Sequence, residues 1–489
     1  MSQSNAYDFP LSSTLSRGAV TERVAPAVAS PVSPAIADFT PRRPPLRNRR
    51  SLYIPLPAKF VFALLAAGLW AGFSIWLSQP WLADLADRWG SLFAIGVVTF
   101  IAWAPGFMNA FIAATLIVDR RPARRALARY PGVSVLIACY NEVENIGDTL
   151  TSLAAQDYRG EVDIIVLNDG STDGTADAVK AAVRRLNFPA HRGVRIVDFP
   201  SNAGKASVLN HGLKIARYAL IVTVDGDCWL VRDSLSHIVE RLMTDPPDTA
   251  AVAGSVMVRN SRQNWLTRAQ EWDYFNGIAA VKRMQSMYHG TLVAQGAFSL
   301  YRREALQAVG GWPACVGEDI VVTWGLLKAG YRVGYAEDAF AFTNVPHTLK
   351  LFANQRKRWS RGLVEAFKAH GELLHARRLT TLFIWWNLCF LPIDLVYTFV
   401  FIPGLVLALS GDFVLAGPMT LLVLPLAVLW NVFVFNLQRR VFHRQGLKVR
   451  RNLRGFLFFA FAYSLVMQPV CVWGYVDELL GLRKTWGTK

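Results

Sequence analysis

The chain is poor in cysteine, in acidic residues and in charge of any kind. Its five cysteines, Cys139, Cys228, Cys315, Cys389 and Cys471, are scattered singly, with no CxxC pair. That spacing excludes a disulfide scaffold and argues against a zinc site. Isolated thiols of this kind read as small buried apolar groups. His211, His237, His289 and His347 also lack metal-ligand spacing and read as surface or satisfied core residues. Charged residues make up 18% of the chain, against roughly 25% in soluble domains, which argues against a wholly soluble enzyme. No apolar stretch begins before about residue 60, so a cleavable signal peptide is not expected.

Apolar residues are abundant instead, at 53% of 489. Five runs, roughly 60–78, 91–118, 380–409, 414–436 and 455–477, are long enough to cross about 30 Å of hydrocarbon, which takes ~20 helical residues. Pro105 and Pro392 fall inside two of them, where kinks are tolerated in a packed bundle. Asp394 lies inside the third run. It reads either as a polar lining of a translocation path or as a structural side chain, near the end of the span or bonded to a neighbouring helix. Residues 1–50 are rich in Ser, Pro and Ala and end in Arg42, Arg43, Arg47, Arg49 and Arg50. Such a segment buries too little apolar surface to offset its chain entropy and reads as a disordered tail.

Lys and Arg number 52 against 35 Asp and Glu, for a net charge of +17. The excess clusters at the ends of the apolar runs. Arg42–Arg50 precede the first, Arg120, Arg121, Arg124, Arg125 and Arg129 follow the second, and Arg439–Arg454 lie between the fourth and fifth. The positive-inside rule then puts the N-terminus and 119–379 in the cytosol and the C-terminus outside. With the basic residues explained by topology and no single basic stripe, nucleic acid is not expected as a partner.

From residue 131 the pattern becomes an alternation of short apolar runs and helix-like segments. Strands are expected at Val133–Ala138, Asp163–Leu167, Val194–Phe199 and Leu220–Val224, with helices near 142–156, 174–186 and 205–217. This spacing implies a mostly parallel sheet covered on both faces. Ligands of such sheets bind outside the carboxyl ends of the strands. At those ends stand Cys139-Tyr140-Asn141-Glu142, Asn168-Asp169-Gly170-Ser171-Thr172-Asp173, Asn202-Ala203-Gly204-Lys205 and Asp225-Gly226-Asp227. Taken singly, Asn-Asp-Gly-Ser is a turn and Asp173 a helix cap; four such segments on one edge point to a shared site. Two carboxylates one residue apart can hold one divalent cation and leave positions for diphosphate oxygens. Lys205 could add positive charge to the same phosphates. Residues 263–288 read as helical. So do 349–368, with Leu351, Phe352, Trp359, Leu363 and Phe367 toward one side and Lys350, Arg356, Lys357, Arg361 and Lys368 elsewhere. A helix of that composition can lie in the membrane interface.

The ordered series Tyr140-Asn141-Glu142, Asn168-Asp169-Gly170-Ser171, Asn202-Ala203-Gly204-Lys205, Asp225-Gly226-Asp227, Gly317-Glu318-Asp319 and Gln355-Arg356-Lys357-Arg358-Trp359 resembles the processive family 2 glycosyltransferases. That group contains the cellulose, chitin, hyaluronan and poly-N-acetylglucosamine synthases. The resemblance covers about 131–370 by motif and the flanking apolar runs by layout. It implies a GT-A fold, an α/β, Rossmann-like nucleotide-diphosphosugar domain, joined to about five transmembrane helices. Tyr140 and Asp169 would contact the uridine, with Glu142 and Lys205 also on the donor side. Asp225 and Asp227 would bind diphosphate and a Mg²⁺ or Mn²⁺ ion. Asp319 would be the general base, because an attacking hydroxyl must lose its proton as the glycosidic bond forms. Gln355 and Arg358 would hold the diphosphate, and Trp359, Gln295 and Glu318 would line the acceptor position. Gly317 departs from the Thr that many members carry before Glu-Asp, which is expected to alter loop geometry more than chemistry.

The expected organisation is a basic tail over 1–58, two spans over 59–118 and a glycosyltransferase domain over 119–348. An interfacial helix over 349–379, three spans over 380–477 and a tail over 478–489 follow. The layout is most similar to the bacterial poly-N-acetylglucosamine synthases. It implies a multi-pass inner-membrane enzyme that polymerises a UDP-sugar onto a growing glycan acceptor, inverts the anomeric centre and exports a β-linked polysaccharide. Its partners would be the lipid bilayer and a small membrane subunit. Open alternatives are a synthase of hyaluronan, chitin oligosaccharide or β-glucan, transfer of one sugar to a lipid carrier, and a transporter needing none of Asp225, Asp227 or Asp319.

Overall fold

The computed structural model describes residues 54–119 and 124–484. The expected tail up to residue 53, Arg120 and Arg121, and residues 485–489 lie outside the described residues.

The α/β domain is built on eight strands: β1 Val133–Cys139, β2 Val162–Asn168, β3 Arg192–Asp198, β4 Leu220–Asp225, β5 Trp229–Leu230, β6 Thr249–Val258, β7 Phe298–Arg302 and β8 Arg332–Thr343. Alternate residues of a strand point to opposite faces, and here both faces are covered, which is why β1 and β2 read as continuous apolar runs. On one face Leu136, Ile165 and Ile221 pack with Val208, Leu209 and Leu213 of helix Lys205–Ile215. On the other, Val135, Ile164 and Val222 pack with Leu150, Val179 and Ile238.

The sheet order is β3-β2-β1-β4-β7-β6-β8-β5. β1 to β4 are parallel, as expected. The other half adds two reversed strands, β7 and β5, to this mostly parallel sheet, which is therefore mixed. β7 runs antiparallel to both β4 and β6, β8 is parallel to β6, and β5 is antiparallel to β8. This reversal matters for the site. In the parallel half, Cys139 pairs with Asn168 and Ala138 with Asp225, so their following loops leave at one edge. Because β7 is reversed, the residues before it, Gln295-Gly296-Ala297, reach that same edge, where Asp225 N donates to Ala297 O at 3.3 Å.

Among the described residues, three helices are long and apolar enough to cross a membrane: Leu56–Leu77, Ser91–Ile117 and Thr381–Leu409. Leu453–Phe461 and Tyr463–Leu479 meet at 51° and make a fourth if they form one span. The remaining stretch of the five expected lies in the 27-residue helix Pro418–Arg444. Between the first two of these helices lies a shorter one, Gln79–Trp89. Two long helices widen into π turns, Thr99–Trp103 and Tyr397–Phe401, directly before the helical segments that open with Pro105 and Pro403. A proline lacks the N–H of the regular ladder and crowds the preceding turn, and the wider turn accommodates it. Asp394 is buried and accepts the Tyr475 hydroxyl at 2.8 Å; of its two readings, the bond to a neighbouring helix is the one observed.

Candidate functional site

The loops after β1 and β2 interlock. Asn141, at φ 56°, donates its backbone N–H to Ser171 Oγ at 2.9 Å and accepts Thr172 N–H on its side chain at 3.0 Å. Glu142 N–H donates to Thr175 Oγ1 at 2.8 Å, and Asp173 accepts the N–H groups of Val143 and Thr175. Asp173 therefore ties the first N–H of helix Thr175–Arg185, whose N-cap is Gly174, to the loop after β1. Gly170 has φ +66°, and a Cβ there would lie 2.5 Å from the carbonyl carbon of Ser201, so the second loop touches the third without room for a side chain. Asp169 fastens that contact. Its two oxygens accept the N–H of Ala203 at 2.6 Å and of Gly204 at 3.0 Å. Burial raises its pKa, with those two amides acting against the rise.

These loops open on a cavity of about 440 Å³. Tyr140, Glu142, Asp169, Lys205, Asp225 and Asp227 line it, together with Gln295, Glu318, Asp319, Gln355, Arg358 and Trp359. Every residue to which the resemblance gives a donor, metal, base or acceptor role thus faces one space, although the chain brings them from positions 140 to 359.

Charge within the cavity is arranged around Lys205. Its Nζ lies 2.6 Å from Asp225 Oδ1 and 3.5 Å from Glu318 Oε1, with the side chain almost wholly buried. Burial alone would lower the pKa of Lys205, but Asp225 and then Glu318 outweigh it, and the pKa is raised. Glu318 is pushed up to about 7 by burial, with Lys205 pulling the other way and Asp319 adding to the rise. Asp227 Oδ2 accepts the Thr343 hydroxyl at 3.1 Å.

Asp319 stands at the start of helix Glu318–Lys328. Its Oδ1 accepts the N–H of Ile320 at 2.8 Å, and its Oδ2 is 3.4 Å from Gly296 N. Gly317 explains the departure from Thr in steric terms: a Cβ on it would lie 2.5 Å from Cα of Gly362, and one on Gly362 would lie 2.8 Å from Cα of Gly317. Two backbones meet there. Gln295 holds a fixed orientation, since its Nε2 donates to Gly254 O at 3.0 Å and its Oε1 accepts from Lys282. Lys282 also donates to Val293 O at 2.9 Å. Burial draws its pKa down to about 7, opposed by the charge of Asp319.

Lys282 was not legible in the sequence. It neighbours Arg283 in a polar-looking helix and carries no motif. Tyr274, Thr343 and Asn344 also line the cavity, and nothing in their local sequence marks them.

Helix Leu349–His370 spans the expected 349–368, but its cations are distributed otherwise than the amphipathic reading supposed. Arg356 and Arg361 are buried, because each meets an acidic partner inside the protein: Arg356 lies 2.8 Å from Asp273, and Arg361 3.3 Å from Glu478. The Arg356 guanidinium also sits 4.1 Å from the centre of the Trp359 ring, a cation–π contact that orients the indole while leaving it 40% exposed. Gln355 Oε1 is buried and has no hydrogen-bond partner.

Among the described residues, no group of three or more His, Cys, Asp or Glu side chains could hold a metal ion. Asp225 and Asp227 form a two-carboxylate set on the cavity wall, which fits a hard cation completing its shell with substrate oxygens.

Residues 134–310 match the family described as glycosyl transferase family 2. The chain is 32% identical over 277 residues to a poly-beta-1,6-N-acetyl-D-glucosamine synthase of Staphylococcus epidermidis, covering 54% of this chain and 65% of that protein. A synthase of the same name from Staphylococcus aureus is 32% identical over 274 residues, covering 54% and 64%. The match thus spans just under two thirds of these relatives. Among solved structures, a mannosyltransferase from Pyrobaculum calidifontis in complex with GDP-Man and Mn²⁺ superposes with a TM-score of 0.54 at 20% identity, covering 80% of this chain and 99% of that one. That likeness concerns the fold, which is GT-A with a mixed sheet. Residues 134–310, which hold the first seven strands and the loops after β1 to β4, thus carry the match to glycosyl transferase family 2.

Proposed function

We propose that the protein is a membrane-embedded, processive, inverting β-glycosyltransferase that polymerises UDP-N-acetylglucosamine into poly-β-1,6-N-acetylglucosamine and exports the chain. One observation carries this reading: donor-type and acceptor-type residues line a single cavity, with Lys205 bridging Asp225 and Glu318 between them. The names of the staphylococcal relatives supply the sugar and linkage.

In this reading Tyr140, Glu142 and Asp169 bind the nucleoside end of the donor, Asp169 chiefly by fixing the loop at Ala203-Gly204. Lys205, Gln355 and Arg358 hold the diphosphate. Asp225 and Asp227 would hold Mg²⁺ or Mn²⁺, which as a Lewis acid stabilises the departing diphosphate. Asp319 takes the proton of the attacking hydroxyl. Trp359 offers a flat apolar face to the acceptor sugar, while Gln295 and Glu318 shape the wall beside it. Single displacement with one base inverts the anomeric carbon, so an α-linked donor gives a β-linked product. Five spans, a cytosolic catalytic domain in the bacterial inner membrane and a small membrane partner complete the proposal.

The deciding experiment offers a panel of labelled sugar nucleotides to membrane vesicles and determines product length and linkage. β-1,6-linked N-acetylglucosamine polymer is expected. Incorporation of a different sugar, or a single sugar on lipid, overturns the assignment.

A further inference from the structure

The helix that carries Gln355, Arg358 and Trp359 also reaches the loop that presents Asp319. On its buried side, the carboxylate of Glu365 accepts the backbone N–H of Val316 at 3.2 Å and of Gly317 at 2.8 Å. Those residues immediately precede Glu318-Asp319. Gly317 is the N-cap of helix Glu318–Lys328 and has no side chain to cap it. Glu365 brings an anion to that N-terminal end from another helix, where negative charge is favourable. A buried carboxylate needs further compensation, and Glu365 receives it from the ammonium of Lys484. Lys484 also contacts Glu478 at 3.2 Å, and Glu478 pairs with Arg361 at 3.3 Å and Lys368 at 2.9 Å. Lys368 and Arg361 lie on the same helix as Glu365. The carboxylate is thus met by Lys484 of the C-terminal segment, and Glu478 links that lysine to Arg361 and Lys368 of the helix that carries Glu365.

Asp319 itself is weakly tethered. One oxygen turns back to the adjacent N–H of Ile320, and the other makes only the long 3.4 Å contact with Gly296. Its place in the cavity is therefore set by the backbone that carries it. That backbone is fixed by the Gly317–Gly362 contact and by Glu365, about one turn further along the same helix.

We propose that Glu365 is a positioning residue for sugar transfer, holding the Val316-Gly317 backbone so that the Asp319 carboxylate stands where the acceptor hydroxyl is deprotonated. The proposal rests on the reading of Asp319 as the base. A misplacement on the order of 1 Å can cost about 10²-fold in rate. Glu365→Gln keeps one accepting oxygen but turns an NH₂ toward the second backbone N–H and removes the charge that Lys484 meets.

The test uses the full-length protein in lipid nanodiscs with labelled UDP-N-acetylglucosamine, measuring kcat, UDP affinity by calorimetry and thermal unfolding. Glu365→Gln is expected to lower kcat by about 10–100-fold with UDP affinity within about twofold of wild type. Glu365→Asp, which keeps the charge, recovers part of the loss. In an Asp319→Asn background, Glu365→Gln should lower the residual rate no further, because residues that act as a unit are not additive. Wild-type kcat in Glu365→Gln, a parallel loss of UDP affinity, or a full further fall in the Asp319→Asn background overturns the proposal. Should the Gln variant not fold, Glu365→Asp carries the test by the same criteria: kcat lowered with UDP affinity kept supports the role, and wild-type kcat overturns it. Wild-type activity in Asp319→Asn alone would instead remove the base assignment, whatever the Glu365 variants show.

Discussion

Lys205 and Lys282 are both buried in the same cavity, and their surroundings treat them in opposite ways. Lys205 has two carboxylates, Asp225 and Glu318, within 3.5 Å, and its pKa is raised against the effect of burial. Lys282 has only neutral oxygens, Val293 O and Gln295 Oε1, as hydrogen-bond partners, and burial draws it down to about 7. Around Lys205 the cavity pairs charge with charge, which suits the diphosphate and cation proposed there and makes this side the proposed donor wall. Around Lys282 the hydrogen-bonding groups are neutral, which suits the uncharged sugar proposed there. A buried ion is tolerated where it is paired, and otherwise its pKa shifts toward the neutral form.

The contrast breaks first at the donor wall. With Asp225 and Asp227 holding the divalent ion, chelation by EDTA should abolish transfer, and added Mg²⁺ or Mn²⁺ should restore it. Full activity in EDTA would remove the metal from the donor wall and leave Lys205 as its source of positive charge. Asp319→Asn comes next. It keeps the size of the side chain but not its basicity, and general-base assistance is typically worth about 10²–10⁴-fold. Transfer should fall by that factor while calorimetric UDP affinity is retained. Near wild-type polymer formation from this variant would show that another group takes the proton.

Trp359→Ala separates the walls from the other direction. It deletes the exposed indole face and frees Arg356 of its ring contact, yet leaves Asp225, Asp227 and Asp319 in place. Product sizing should show shortened or absent polymer, with UDP affinity nearly unchanged. A loss of UDP affinity as large as that of Asp225→Asn would assign Trp359 to the donor wall.

The same division separates what the sequence revealed from what it concealed. Donor-wall motifs follow strands whose apolar runs are visible locally, so their order along the chain foretells their common edge. The reversal of β7 was not visible, because its direction depends on pairing with β4 and β6, which no local pattern encodes. The buried partners of Arg356 and Arg361 were hidden for the same reason. The partner of Arg361, Glu478, is 117 residues away, and only the packed helices bring them together. Gly317 looked like a departure from a motif until its backbone contact with Gly362 supplied the cause. Gly317→Ala forces a Cβ into that contact, and overpacking of this kind costs about 1–3 kcal/mol. A lowered unfolding midpoint with reduced transfer is expected, and an unchanged midpoint would mean that the two helices separate freely.

The pH dependence of stability most directly sharpens the comparison of the two lysines. In the folded protein Lys282 loses its proton near pH 7, whereas in the unfolded chain it does so near 10.4. Between those values the unfolded state binds the extra proton, so the contribution of Lys282 to stability rises with pH across that window. Below pH 7 both states are charged and the full cost of burying the ammonium is felt. Glu318, raised to about 7, gives the opposite slope at lower pH: its folded form keeps a proton that the unfolded chain has released, so its contribution declines from about pH 4.5 to 7. Lys282→Met should therefore flatten the rise of unfolding midpoint above pH 7 and leave the lower limb in place, while Glu318→Gln should do the reverse. Midpoints measured from pH 5 to 10 in one detergent resolve the two limbs. An unaltered upper limb in Lys282→Met would mean that Lys282 remains charged, and that its wall is paired with an anion as the donor wall is.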